Sequence, residues 1–247
     1  MTSAPGTDRA AETLPLAMWA TPRTVSTAFD KMMRSRGSHH VLTEPFSVPW
    51  YFGPEQRSDR FPVTEPGATF DSTLAEVLTT ARSEPVFVKD MAYHLGRLLR
   101  PDVLACFRNS FIIRDPAWSV PSLLRRWPDA SPDEVGYEAQ LRAFRICADL
   151  TGSAPAVIDS DLLCSDPAAV VSRWCDAMEI AMRPDALTWR PGQPAGWERW
   201  SDWFETAAQS TGFLPPDKNP PPPVRGRAAE VVEQCRPAYE ELRRHAL

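Results

Sequence analysis

The chain lacks a cysteine framework. Its five cysteines, Cys106, Cys147, Cys164, Cys175 and Cys235, are odd in number and widely separated, with no CxxC pair. That spacing excludes a zinc array and leaves free, buried thiols in a reducing compartment as the expectation. Secretory character is missing too: the first dozen residues, MTSAPGTDRAAE, contain no apolar core for a signal peptide. No apolar run approaches membrane-spanning length, so a soluble, cytoplasmic protein is expected. Positive charge is not in excess, with a formal net charge of −5. General electrostatic attraction to nucleic acid or to an acidic membrane is therefore not expected, although a local basic pocket is allowed. There is no internal repeat.

What the chain has is size, proline and tryptophan. Its 247 residues suffice for one large domain with cap elements, and 43% apolar residues suit a packed core. Twenty-six prolines imply many rigid loops, and nine tryptophans can wall a pocket as well as fill a core.

One stretch organises the rest. Leu14–Ala20 is an apolar strand, Thr21-Pro22-Arg23-Thr24-Val25 a turn, and Ser26–Arg36 a helix that ends near Gly37. Strand, tight loop and helix aim backbone N–H groups and a helix N-terminus at one small volume suited to an anion. Arg23 adds a fixed positive charge, and Ser26 and Thr27 add hydroxyls.

Further strands are expected at Val41–Thr43, Val86–Val88, Phe111–Ile113 and Ala156–Ile158. Helices are expected at Thr73–Arg82, Met91–Leu99, Val120–Trp127, from Ser131-Pro132 to about Leu150, from Asp166-Pro167 to about Ile180, and at Arg225–Arg244. Residues 1–13 read as a frayed polar start. Residues 46–70 and 184–223 read as long excursions, the second holding a proline run over 215–223. Alternating short strands and helices predict an α/β fold. It has a central parallel sheet of about five strands flanked by helices, with extra helical and loop cap elements on a single domain. In such a sheet ligands bind at the carboxyl ends of strands, where Arg23, Glu44, Lys89-Asp90, Arg114-Asp115 and Asp159 would converge.

These residues resemble the P-loop-type sulfotransferases that use 3′-phosphoadenosine-5′-phosphosulfate (PAPS). Thr21 to Thr27, TPRTVST, is similar to the bacterial loop PRSGST that binds the 5′-phosphosulfate. Phe111–Pro116 with Ser122 resembles the 3′-phosphate motif, an arginine ending a strand and a serine eight residues on. Val88-Lys89-Asp90 falls where many members carry Lys-Thr-His. The resemblance covers residues 14 to 127 well and the remainder weakly. The chain departs from the pattern at Val25, where the loop has glycine, and at Met91, where the usual histidine would be. It also lacks the C-terminal Arg-Lys-Gly element, for which Arg225-Gly226-Arg227 is a substitute candidate.

The resemblance implies sulfuryl transfer from PAPS to the hydroxyl of a small-molecule acceptor, with no metal. The donor-binding set would be Thr21, Pro22, Arg23, Thr24, Val25, Ser26, Thr27, Arg114, Ser122 and Arg225. Arg23 would offset charge at the leaving phosphate, and Lys89 could add charge near the sulfonate or be a solvated strand-end lysine. For the general base, Glu44 is the first candidate and His94 the second. Each has a structural alternative, Glu44 as a strand-end acid paired with an arginine and His94 as a core histidine. Asp90 and Asp115 read as structural. Trp50, Tyr51, Phe52, Trp197, Trp200 and Trp203 could wall the acceptor. The competing functions are a P-loop kinase-like phosphotransferase, against which stands the absent Gly-Lys-Ser/Thr, and a non-catalytic PAPS-fold binding protein. The oligomeric state is not legible.

Overall fold

A computed structural model describes residues 14–216, 221 and 223–247. The polar start at 1–13 and part of the proline run lie outside the described residues. Five strands, β1 (Leu16–Ala20), β2 (His40–Thr43), β3 (Val86–Met91), β4 (Arg108–Ile113) and β5 (Ala156–Asp159), form one parallel sheet in the order β2-β3-β1-β4-β5. β1 and β3 are buried along their whole length. Their near-continuous apolar runs are what a sheet covered on both faces requires.

The helices are α1 (Ser26–Arg36), α2 (Ser47–Phe52), α3 (Phe70–Ala81), α4 (Pro101–Leu104), α5 (Pro116–Leu124), α6 (Pro132–Val135), α7 (Tyr137–Thr151), α8 (Ser160–Ser165), α9 (Pro167–Ala177), α10 (Ser201–Gln209) and α11 (Arg227–Arg243). α1 stops where expected because Gly37 takes a left-handed conformation, its N–H closing on the Arg34 carbonyl.

Three expectations need correction. The helix from Ser131 does not run unbroken to Leu150. α6 ends after one turn at Gly136, whose φ is 83°, and α7 starts anew. A Cβ at Gly136 would lie 2.8 Å from the Tyr93 ring, so glycine permits the close approach over the loop after β1. The segment expected as a helix over Met91–Leu99 is not α-helical. β3 continues through Lys89-Asp90-Met91, followed by 3₁₀ turns over Ala92–Leu98. The helix expected at Val120–Trp127 begins earlier, at Pro116, because the Asp115 side chain accepts from Ala117 N and caps it. The two excursions are partly helical, holding α2 and α10.

The sheet order sets where a ligand can go. The chain leaves β1 toward the β2 edge and leaves β4 toward the β5 edge, so a crevice opens between their carboxyl ends. Gln140, buried on α7, spans the parting strands by donating to the carbonyls of Trp19 and Ile112, both at 2.9 Å. The loops that follow, Thr21–Val25 and Arg114-Asp115, form the crevice walls.

Candidate functional site

The loop after β1 is held in an unusual conformation. Arg23 has φ of 65°, a region that costs a side-chain-bearing residue about 1–3 kcal/mol. Thr24 Oγ donates to the Thr21 carbonyl at 3.1 Å and closes the turn, with Thr21 buried beneath it. α1 then begins with no side-chain cap and no acid in its first turn. Its first N–H groups are therefore open to an anion, at the positive end of the helix dipole.

Two arginines face this helix end. Arg23 Nε donates to Ser122 Oγ at 2.9 Å and its Nη1 to the Trp203 carbonyl at 3.4 Å. Arg114, at the end of β4, donates from Nη1 to the Arg23 carbonyl at 3.2 Å, and its Nε is buried without a partner. Burial pushes the Arg23 guanidinium below its ordinary value, and the charges of Arg125, Arg114 and Arg126 push it further down. A cationic cluster that repels itself in this way is stabilised by a bound polyanion.

A cavity of about 210 Å³ opens between these groups and α10. Pro22 to Ala28, Arg114, Glu44 and His94 supply its polar side, and Tyr51, Tyr93, Trp127, Trp200, Trp203 and Phe204 much of its apolar wall. The expected aromatic wall is thus half present. Trp50, Phe52 and Trp197 do not line the cavity; Trp197 is fully buried and donates to Asp30 at 3.3 Å.

Glu44 follows β2 with φ of 51°, so Arg23 and Glu44 are two of the three non-glycine residues with positive φ among the described residues. Its Oε1 is bonded to Lys89 Nζ, and Lys89 is fully buried beneath the Phe204 ring, 4.9 Å from its centroid. The partner of Glu44 is thus a lysine, not an arginine, and Lys89 is neither solvated nor lining the cavity. On the next residue of β3, Asp90 accepts from Phe46 N and Met91 N at 2.7 Å each and from His94 Nδ1 at 2.6 Å. His94 Nε2 is buried with no partner, although the residue lines the cavity. Beside it the Tyr51 and Tyr93 hydroxyls pair at 3.1 Å, and burial raises both phenols, so both stay protonated.

Of the expected set, Pro22 to Thr27, Glu44, His94 and Arg114 meet in one cavity, and Ser122 joins them through Arg23. Arg225 is exposed and outside the cavity lining; its neighbour Arg227 is bound to the carbonyls of Pro128 and Ala130. Sequence reasoning missed Asp90 as the partner of His94. The spacing of four residues across a strand end was the available signal. Tyr93, Arg125 and Arg126 carried none.

Fold and site together define an α/β protein with an arginine-lined, aromatic-walled cavity at the switch point of its sheet. A family model described as "Sulfotransferase domain" matches residues 14–246, and the chain belongs to that family. It is similar to two Arabidopsis thaliana proteins. These are branched-chain-amino-acid aminotransferase-like protein 2, at 26% identity over 92% of this chain, and protein 1, at 24% over 92%. The chain spans only 41% of the length of each. Among solved structures it resembles the sulfotransferase domain of the Synechococcus PCC 7002 olefin synthase, with TM-score 0.53 and 14% identity over 89% of this chain and 94% of the other. The sulfotransferase domain from the curacin biosynthetic pathway aligns over 90% and 97%, with 14% identity and TM-score 0.48.

Proposed function

We propose that this chain transfers the sulfuryl group of PAPS to the hydroxyl of a small-molecule acceptor. The observation that carries the reading is the pair Arg23 and Arg114 in one cavity with the uncapped start of α1, with Arg114 Nε buried and unpartnered. A ligand with anionic groups at both ends meets these demands. The loop N–H groups with Ser26 and Thr27 would hold the 5′-phosphate, and Arg114 with Ser122 the 3′-phosphate. When bound, the donor supplies an activated sulfuryl group. Arg23 lies where charge on the leaving phosphate would be offset.

The aromatic side of the cavity would receive the acceptor and keep water out. His94 is better placed than Glu44 to take its proton, since Nε2 is free whereas the Glu44 carboxylate is tied to Lys89. A kinase-like function is disfavoured because Lys89, the nearest strand-end lysine, is committed to Glu44 and does not reach the cavity lining. Calorimetric titration tests the proposal. Adenosine 3′,5′-bisphosphate is expected to bind and ATP–Mg²⁺ not to; the opposite pair of results would sink it.

A further inference from the structure

The proton-accepting state of His94 is written into the residue four positions before it. We infer that Asp90 is a positioning residue that fixes His94, a residue of the cavity wall, as the Nδ1–H tautomer with a bare lone pair at the buried Nε2.

The argument is one of counting donors. Asp90 is fully buried at the penultimate position of β3. Its Oδ2 accepts from Phe46 N, and its Oδ1 accepts from Met91 N and stands 2.6 Å from His94 Nδ1. A carboxylate has only acceptors to offer, so the imidazole must be the donor in that contact. With Nδ1 carrying the proton, neutral His94 has a bare lone pair at Nε2, the atom that has no partner and belongs to a cavity-lining residue. The two backbone bonds fix the carboxylate, and the ring is packed by Tyr93 at 4.3 Å and Tyr51 at 5.5 Å between centroids. Neither tautomer exchange nor ring rotation is then free, which is how a general base is held ready.

The same count excludes an amide at this position. Asn has one acceptor oxygen, and three N–H groups converge on the two atoms of the Asp90 head. If the amide NH₂ takes the Oδ1 place, it faces Met91 N–H and drives His94 to the Nε2–H form. If it takes the Oδ2 place, it faces Phe46 N–H and strains the junction after β2. The other titratable and charged groups on the cavity wall are Glu44, Tyr51, Tyr93, Arg23 and Arg114. Glu44 is held by Lys89 and the two phenols by each other. Among the described residues none of these bonds to the His94 ring.

This inference rests on the reading of His94 as the base, but its test does not need an acceptor. The full chain has four histidines, so ¹⁵N-histidine labelling gives a spectrum that can be assigned by loss of one ring in His94→Gln. At about pH 8.5, where an ordinary imidazole is neutral, His94 is expected to show pyrrole-type Nδ1 and pyridine-type Nε2. Its Nδ1 proton should be displaced to low field and slow to exchange. Asp90→Ala, which leaves Nδ1 no carboxylate acceptor, is expected to exchange the two nitrogen types or to average them. An Nε2–H form or an averaged ring in the wild-type protein overturns the inference, as does an unchanged ring in folded Asp90→Ala. Should that variant not fold, the wild-type nitrogen types and the protected low-field proton still decide. Titrating adenosine 3′,5′-bisphosphate into the same sample reads the donor proposal separately, so either idea can fail alone.

Discussion

Arg23 and Glu44 occupy backbone conformations that glycine would adopt more cheaply, and both line the cavity. Strain stored at two converging strand ends marks where the fold gives up stability for placement. At Arg23 the two contributions can be separated. Glycine relieves the positive φ and alanine does not, yet both remove the charge. Urea unfolding should find Arg23→Gly about 1 kcal/mol more stable than Arg23→Ala. Both variants should lose at least tenfold in affinity for adenosine 3′,5′-bisphosphate. Equal stability of the two would show that the loop relaxes in solution. At this scale the sequence reveals residue types better than partners. Arg23, Arg114 and His94 are recognisable from their places after strands. That Lys89 would turn from the crevice to Glu44 depends on which face of β3 each side chain takes, and this required knowing that the strand runs on to Met91.

Among the elements, α10 is the one whose position most affects the cavity, since Trp203, Phe204 and Ala207 all line it. It is fastened to α1 by a single buried ammonium. Lys31 Nζ lies 3.1 to 3.3 Å from the carbonyls of Gly192, Ala207, Ala208 and Ser210. Three of these belong to the C-terminal end of α10, where carbonyls lack helical partners and a cation is favoured. Lys31→Met keeps the apolar stem but leaves those carbonyls unanswered. Amide exchange over residues 201–212 should then quicken at least tenfold, while β1 and β4 remain protected. Uniform exchange throughout the chain would mean that α10 is held by its aromatic packing alone. This clamp was not legible beforehand. Residues 184–223 show no sustained period, and a lysine on α1 reads as solvated until its neighbours are known. The strands and α1, by contrast, were readable because apolar runs and a left-handed glycine are local signals. The break at Gly136 was hidden by a helix start that is locally sound, with its capping box intact.

For the molecule as a whole, the excursion that brings Tyr51 to the cavity is tied to the α5–α6 region by one ionic network. Arg60 donates to Glu134 at 2.8 and 2.9 Å and to Asp129 at 3.0 Å, and its guanidinium lies 4.1 Å from the Trp127 ring centroid. Burial alone would raise the Glu134 carboxyl, but the Arg60 bonds and the Ser131 N–H outweigh it and hold the group below its ordinary value. A carboxylate depressed in the folded state adds stability above its unfolded value near 4.3, and that contribution is lost as pH falls through the folded value. Arg60→Gln should therefore lower the melting temperature clearly at pH 7. The gap to wild type should narrow as pH falls below about 4.3 and through the lowered folded value. A gap independent of pH would assign the effect to lost packing on Trp127.

The central claim is that one crevice, between the ends of β1 and β4, grips a nucleotide by phosphates at both ends. Comparing the affinity of the full chain for adenosine 3′,5′-bisphosphate and for adenosine 5′-monophosphate tests it directly. The two differ only by the group assigned to Arg114 and Ser122. Two charge-assisted bonds at about 1.5–3 kcal/mol each predict that the bisphosphate binds at least 100-fold more tightly. Arg114→Ala should erase most of that preference. Equal affinities in the wild-type protein would contradict the account.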